Sequence, residues 1–256
     1  MLTWLRKQSP DDESEVKSFW EHLEDLRRTL WKSILTLGIT FLLTLGFADK
    51  ILSFLTRPLR QVTDHPENFL QSLNVADGFV LPMKIAFYAG LLLAAPAILF
   101  FVGQFILPAL RQQEKQALWP GFFGGTLLFV VGVATCYYLM VPQTLQAFIR
   151  SSRWFGIEPR WTIDSYLSFV TQFMLMCGVT FEIPLVLVIL VRVGVLSYNT
   201  VRKSRKILIF AAFAISSFLA PPDPMSMIVM GLPLVILFEI AIWLSWFAER
   251  RRNLNR

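Results

Sequence analysis

Charge is scarce in this chain. Asp, Glu, Lys and Arg make up only 16% of its 256 residues, against roughly 25% in soluble domains. Apolar residues reach 55% and mean hydropathy is +0.54, so the deficit excludes an ordinary soluble domain and points to an integral membrane protein. Cysteine and histidine are nearly missing. Cys136 and Cys177 each lie inside an apolar run, in no metal or redox spacing, and read as small core residues. His22 and His65 fall on opposite sides of the expected membrane without ligand spacing. No metal and no cofactor is therefore expected. The chain has no Gly-rich phosphate loop, no HExxH, no Gly-x-Ser-x-Gly and no paired intramembrane aspartates, so nothing asks for an enzyme. It has no internal repeat. Its apolar runs are long and unbroken rather than alternating in units of about 10, which argues against a β-barrel.

Aromatic residues are plentiful, with 23 Phe and 8 Trp, as suits rings that meet lipid and headgroups. The net charge is +6, but no nucleic-acid motif accompanies it. Most basic residues flank apolar runs, so anionic headgroups and membrane topology account for the balance. The expected architecture is an all-α polytopic membrane protein. Residues 1–17 read as a disordered cytosolic lead-in, 18–248 as one six-helix membrane domain and 249–256 as a basic cytosolic tail. The six spans are expected at about 30–47, 83–107, 118–141, 165–191, 207–220 and 225–247. The first is expected to serve as an uncleaved span, since residues 1–17 are polar and do not read as a signal peptide. Seventeen of the 24 Lys and Arg residues fall on the side of the termini and seven on the other, which favours both termini in the cytoplasm.

The stretch Ser18–Leu30 is expected to form an interfacial helix. Phe19, Leu23, Leu26 and Leu30 mark one helical stripe, and Glu24, Asp25 and Arg27 fill the remaining faces. Such a helix lies along the membrane surface, apolar side toward lipid. Its carboxylates would then sit at a fixed depth, open to a basic partner. A juxtamembrane anchor that only fixes topology accounts for the same pattern.

Residues 49–82 form the longest polar connection, punctuated by Pro58, Pro66 and Pro82, with Asn74 and Asp77 as candidate caps. Residues 142–164 form a second connection, and Thr162 or Asp164 would cap the fourth span. Pro96 and Pro184 predict kinks in the second and fourth spans. The fifth segment is short: fourteen residues reach ~21 Å against a hydrocarbon thickness of ~30 Å.

Two carboxylates fall inside spans. Glu182 precedes Pro184, which removes the usual donor from the Thr180 carbonyl and leaves a polar notch. An ionised carboxylate at such depth costs ~2.5–3.5 kcal/mol, so a neighbouring helix, a hydrated hollow or protonation must offset it. Glu182 reads as a functional residue or as glue between helices. Glu239 raises the same question nearer a boundary, where snorkelling answers it equally well. Lys84 lies close enough to a boundary to reach the headgroups.

Taken in order, His22-Leu-Glu-Asp-Leu-Arg-Arg, Arg57-Pro-Leu, Ala94-Ala-Pro96, Pro108-Ala-Leu with Glu114, Phe181-Glu-Ile-Pro184 and Pro221-Pro-Asp223-Pro resemble the TatC family. That family is the polytopic receptor subunit of the twin-arginine protein translocase. The resemblance implies six helices in a concave, glove-like arrangement, in the plasma (inner) membrane. It implies that twin-arginine signal peptides of folded cargo bind a cytosolic acidic site matching Asp25 and Glu114, with Arg27 on the motif's basic position. Arginine presents a planar fork that carboxylates accept bidentately, whereas lysine offers a point charge. The family pattern usually has glutamate where this chain has Asp25, and Glu24 beside it is a candidate to share the contact. Glu182 matches the family's intramembrane glutamate, implying contact with single-span partners of the TatA and TatB type or with inserted signal peptide. Met227 and Met230 would belong to a partner-docking surface. Homo- and hetero-oligomers, lipid contacts and use of the proton-motive force are likewise implied. The alternative from a different class is a proton-coupled transporter of a small solute with Glu182 as carrier.

Overall fold

The structure is a computed structural model and describes residues 19–63, 69–106, 118–219 and 224–254. Its elements are α1 (Phe19–Leu45), α2 (Ala48–Leu55), α3 (Arg57–Arg60), β1 (Leu70–Gln71), α4 (Asp77–Ile106), α5 (Leu118–Thr135), a π-helical turn (Cys136–Met140), α6 (Val141–Trp154), β2 (Trp161–Thr162), α7 (Ile163–Val193), α8 (Tyr198–Lys203), α9 (Arg205–Leu219) and α10 (Pro224–Leu254). Helix dominates, and β1 and β2 are two-residue strands paired in parallel. Among the described residues four helical stretches are long and apolar enough to cross a membrane, or five if α1 and the sharply bent α2–α3 count as one.

Three expectations are corrected. The interfacial helix and the first span are one uninterrupted helix, α1, of 27 residues. Neither Pro nor Gly occurs between Phe19 and Leu37, and surface charges alone do not break a helical ladder. The bend comes later, at Gly46-Phe47, where the chain turns by 84° into α2. Second, Pro82 does not end a loop but sits inside α4, which begins at Asp77. Six residues into the helix, Pro82 leaves the Gly78 carbonyl without its usual donor, and the helix continues past it. Asp77 closes the turn ahead of α4 by accepting from Ser72 Oγ at 2.7 Å and from the Asn74 backbone N–H at 3.2 Å. Third, most of the expected connection after residue 141 is helical, as α6. Pro142 cannot donate to the Tyr138 carbonyl. The ladder absorbs the defect by widening to π spacing just before it, then continues with Val141, Pro142, Thr144, Leu145 and Ile149 buried.

Helices pack in the order α1, α4, α5, α7, α10, α9, with α4 also touching α7. Gly90 allows the closest approach of α1 to α4: a Cβ there would lie 2.9 Å from the Phe41 backbone N and 3.0 Å from its Cα. Beside this crossing Thr44 Oγ1 donates to the Ala86 carbonyl at 2.7 Å, the kind of contact that joins helices where burial in lipid supplies no driving force. At the far end of the bundle α2, α3 and α6 form a cap over the main core cluster, which includes Leu55, Leu59, Met140, Leu145 and Val170. Helix ends leave carbonyls without partners. Here two tyrosines answer them: Tyr137 Oη donates to the Phe54 carbonyl at 2.7 Å and Tyr166 Oη to the Leu55 carbonyl at 2.8 Å.

The α7 boundaries follow their local chemistry. Thr162 Oγ1 accepts from the Ser165 backbone N–H at 3.1 Å as N-cap, and Gly194 closes the helix in the left-handed region at φ 91°. Helix α9 has 15 residues and so reaches ~22 Å, in keeping with the short fifth segment.

Candidate functional site

The near end of the bundle is where α1 begins and α4 finishes. The His22 ring stacks on Phe105 with centroids 4.5 Å apart, and Lys32 Nζ lies 5.8 Å from the Phe101 ring centroid. His22, Asp25, Thr29 and Lys32 are spaced by three and four residues, so they share one helix face. Asp25 and Thr29 are half-buried on it, while Glu24 is exposed. The apolar stripe is turned the other way: Leu23, Leu26 and Leu30 are exposed, and with Arg27, Trp31 and Ile34 they line a shallow groove of about 290 Å³.

The acidic candidates therefore separate by environment. Glu24 accepts from Arg27 Nη1 at 3.3 Å in an exposed pair one helical turn apart. Asp25 takes the side that leads toward the end of α4. Glu114 lies outside the described residues, as does Asp223. Of the other expected turn-formers, Pro58 is buried in the first turn of α3, and Pro96 and Pro184 lie inside α4 and α7.

Glu182 is half-buried in α7. Among the described residues its carboxylate takes part in no hydrogen bond or ion pair. It lies against α5 at a glycine: a Cβ at Gly125 would stand 2.9 Å from Oε2 and 3.2 Å from Oε1. On the same helix the Thr126 hydroxyl is buried without a hydrogen-bond partner. The bundle thus holds an unanswered carboxylate and an unanswered hydroxyl at nearby levels of α5 and α7, within the stretches apolar enough to span a membrane.

Glu239 differs. It is engaged by the Arg205 guanidinium at the start of α9, so its charge is met inside the chain and ties α9 to α10. Met230 is 1% exposed and belongs to the main core cluster, so the expected docking surface loses it to packing. Lys84 is also corrected. Rather than reaching for headgroups, it donates to Asp164 Oδ1 at 2.6 Å. Sequence reasoning missed this pair, although a cation within an apolar run requires a counter-ion. Gln172 Nε2 donates to Tyr88 Oη at 3.1 Å, a second polar link between α4 and α7.

Over residues 21–233 the sequence matches the family described as Sec-independent protein translocase protein (TatC). The chain belongs to the TatC family. Two similar proteins, both called Sec-independent protein translocase protein TatC, come from Escherichia coli (strain K12) and Aquifex aeolicus. The first is 33% identical over 226 residues, covering 88% of this chain and 87% of that protein. The second is 32% identical, covering 91% and 96%. A TatC from Akkermansia muciniphila is 36% identical over 183 residues, and the chain spans only 53% of its length. A crystal structure described as twin arginine translocase receptor TatC in DDM superposes with a TM-score of 0.73 at 32% identity, covering 88% of this chain and 99% of that one. An all-helical TatC-family membrane protein serves protein transport, as a translocase component.

Proposed function

We propose that this chain is the core subunit of a twin-arginine translocase, binding twin-arginine signal peptides through Asp25 and Glu114 at a cytosolic acidic site. The observation that carries this reading is the arrangement of α1 against α4. Asp25 occupies the α4-facing side beside His22, whose ring stacks on Phe105 one residue before α4 ends. Glu114 follows that end in sequence and precedes the start of α5 by four residues. Two carboxylates from separate parts of the chain suit two adjacent guanidinium groups, each of which can be held by paired, charge-assisted hydrogen bonds. Glu24, exposed and paired with Arg27 one helical turn on, is a candidate to share the contact, and Arg27 sets the local charge balance.

In this reading the chain crosses the plasma (inner) membrane six times, with α9 as the short fifth span, and both termini lie in the cytoplasm. The glove-like bundle presents Glu182 to single-span partners of the TatA and TatB type, and the proton-motive force drives export. The excess of Lys and Arg on the side of the termini supports that orientation.

The test is photo-crosslinking from probes at Asp25 and Glu114 to a signal peptide carrying either Arg-Arg or Lys-Lys. Crosslinking at both positions, lost with Lys-Lys and in Asp25→Ala or Glu114→Ala chains that still insert, is the expected result. Undiminished crosslinking in both alanine variants would overturn the site.

A further inference from the structure

We propose that Gly125 is the positioning residue for Glu182: the side chain missing from α5 makes the seat in which that carboxylate lies, and so sets where it is presented. The inference rests on the reading of Glu182 as an intramembrane contact for a single-span partner.

The geometry is local. Glu182 projects from α7 onto α5, and its two oxygens lie 2.9 and 3.2 Å from the position a Cβ on Gly125 would take. A methyl group and a carboxylate oxygen do not coexist at 2.9 Å, so a side chain at residue 125 must displace the carboxylate from its present position. Leu185 Cδ2 on α7, at 3.2 Å from the same point, restricts the escape on one side. The glycine immediately before it behaves differently. A Cβ at Gly124 would meet nothing closer than Leu185 Cδ1 at 3.7 Å, an ordinary contact. The α5–α7 crossing therefore tolerates a methyl at residue 124, and the tightness at residue 125 belongs mainly to the carboxylate.

Why would the chain keep a carboxylate there? Among the described residues no cation and no donor answers Glu182, and the cost of an ion at that depth is not offset from within. What offsets it is protonation, water, or a polar group on a helix outside the chain. Such a contact depends on the carboxylate being at a fixed place, because interhelical hydrogen bonds are short and directional. The seat at Gly125 supplies that place without itself binding the partner.

The test uses the full chain in native membranes with its single-span TatB-type partner, and a photo-reactive residue at Val186, which is exposed one helical turn beyond Glu182. Glu182→Ala is expected to lower the crosslink about threefold to thirtyfold. Gly125→Ala should lower it about threefold or more, while Gly124→Ala stays within about twofold. The double variant Gly125→Ala with Glu182→Asp withdraws the carboxylate by one methylene. It should recover at least about half of the crosslink given by Glu182→Asp alone. A Gly125→Ala chain that crosslinks like the parent while Glu182→Ala does not would overturn the positioning role and leave the function reading intact. A double variant no better than Gly125→Ala would overturn it too, by assigning the defect to helix packing. An undiminished crosslink in Glu182→Ala removes the partner contact itself, and the positioning role with it.

Discussion

Lys84 on α4 and Asp164 on α7 form an ion pair of 2.6 Å across 80 residues of chain. With the Tyr88–Gln172 hydrogen bond it fastens the far-end turns of two helices that otherwise meet little. In a membrane this has a particular weight. Lipid tails are as apolar as leucine, so two helices gain nothing from hydrophobic burial and depend on packing and polar contacts to stay registered.

Exchanging Lys84 for Met should loosen α4 from α7. Both side chains are more than a third exposed, so solvent screening keeps the pair's contribution small. The thermal midpoint of purified protein in detergent should fall by a few °C. The charge-reversed double variant, Lys84→Asp with Asp164→Lys, should regain most of it. A coupling near zero in the double-mutant cycle would show the pair to be incidental.

Tyr166 offers a cleaner case, since its ring is 3% exposed and its hydroxyl reaches the Leu55 carbonyl. Tyr166→Phe retains the packing and orphans a buried acceptor, a loss of about 1–3 kcal/mol. Tyr137→Phe, at a partly buried bond, should cost less. Thermal unfolding of the two variants side by side measures the order, and the reverse order would contradict the capping role.

Much of this architecture is legible in the residues. Unbroken apolar runs locate α4, α5, α7 and α10, Thr162 marks the start of α7, and the short segment before Pro221 becomes α9. Which way a face points is legible only once the surroundings are known to be lipid. In a soluble helix Leu23, Leu26 and Leu30 would mark the core; here they face outward, because the surroundings are as apolar as the interior. Charges in Ser18–Leu30 suggest a separate surface helix, yet without Pro or Gly the ladder runs on into α1. Pro142 suggests a boundary but enters through a π-helical turn. The ionisable residues show the same limit. That Glu182 and Glu239 need an explanation is plain from one dimension. That Arg205 answers the second, and that a glycine lies against the first, depends on helices meeting 34 and 57 residues apart.

The two acids of α1 should separate on substitution. Asp25→Asn removes charge from the side that leads toward α4, and the expected loss in Arg-Arg signal-peptide binding is about tenfold or more, as for a hydrogen bond between charged groups. Asp25→Glu keeps the charge and lengthens the arm, so binding should hold or improve. Glu24→Gln, whose partner Arg27 is exposed, should change binding by less than about threefold. Titration of a labelled signal peptide into detergent-solubilised chain measures all three. A larger loss for Glu24→Gln than for Asp25→Asn would transfer the contact to Glu24.

Gly90 sits far from these acids along the sequence, and it should control them through packing. A Cβ on residue 90 would press on the backbone of Phe41 at 2.9 Å and of Thr40 at 3.2 Å, and backbone cannot rotate away. Gly90→Ala must therefore lift α1 off α4, straining the Thr44–Ala86 bond at that crossing. Overpacking of this kind costs about 1–3 kcal/mol, and the thermal midpoint should fall accordingly. The lift also moves the other end of a rigid 27-residue helix, where His22 rests on Phe105 and Asp25 turns toward α4. Gly90→Ala should thus weaken crosslinking of an Arg-Arg signal peptide to a probe at Asp25, although residue 90 lies about four turns of α4 from Phe105, which His22 stacks on. Gly38→Ala is the matched control: nothing stands within 4 Å of a Cβ there, and alanine favours the helix over glycine. If Gly90→Ala lowers stability but leaves that crosslink unchanged, α1 bends rather than tilts, and the acidic end is held by its own contacts with α4.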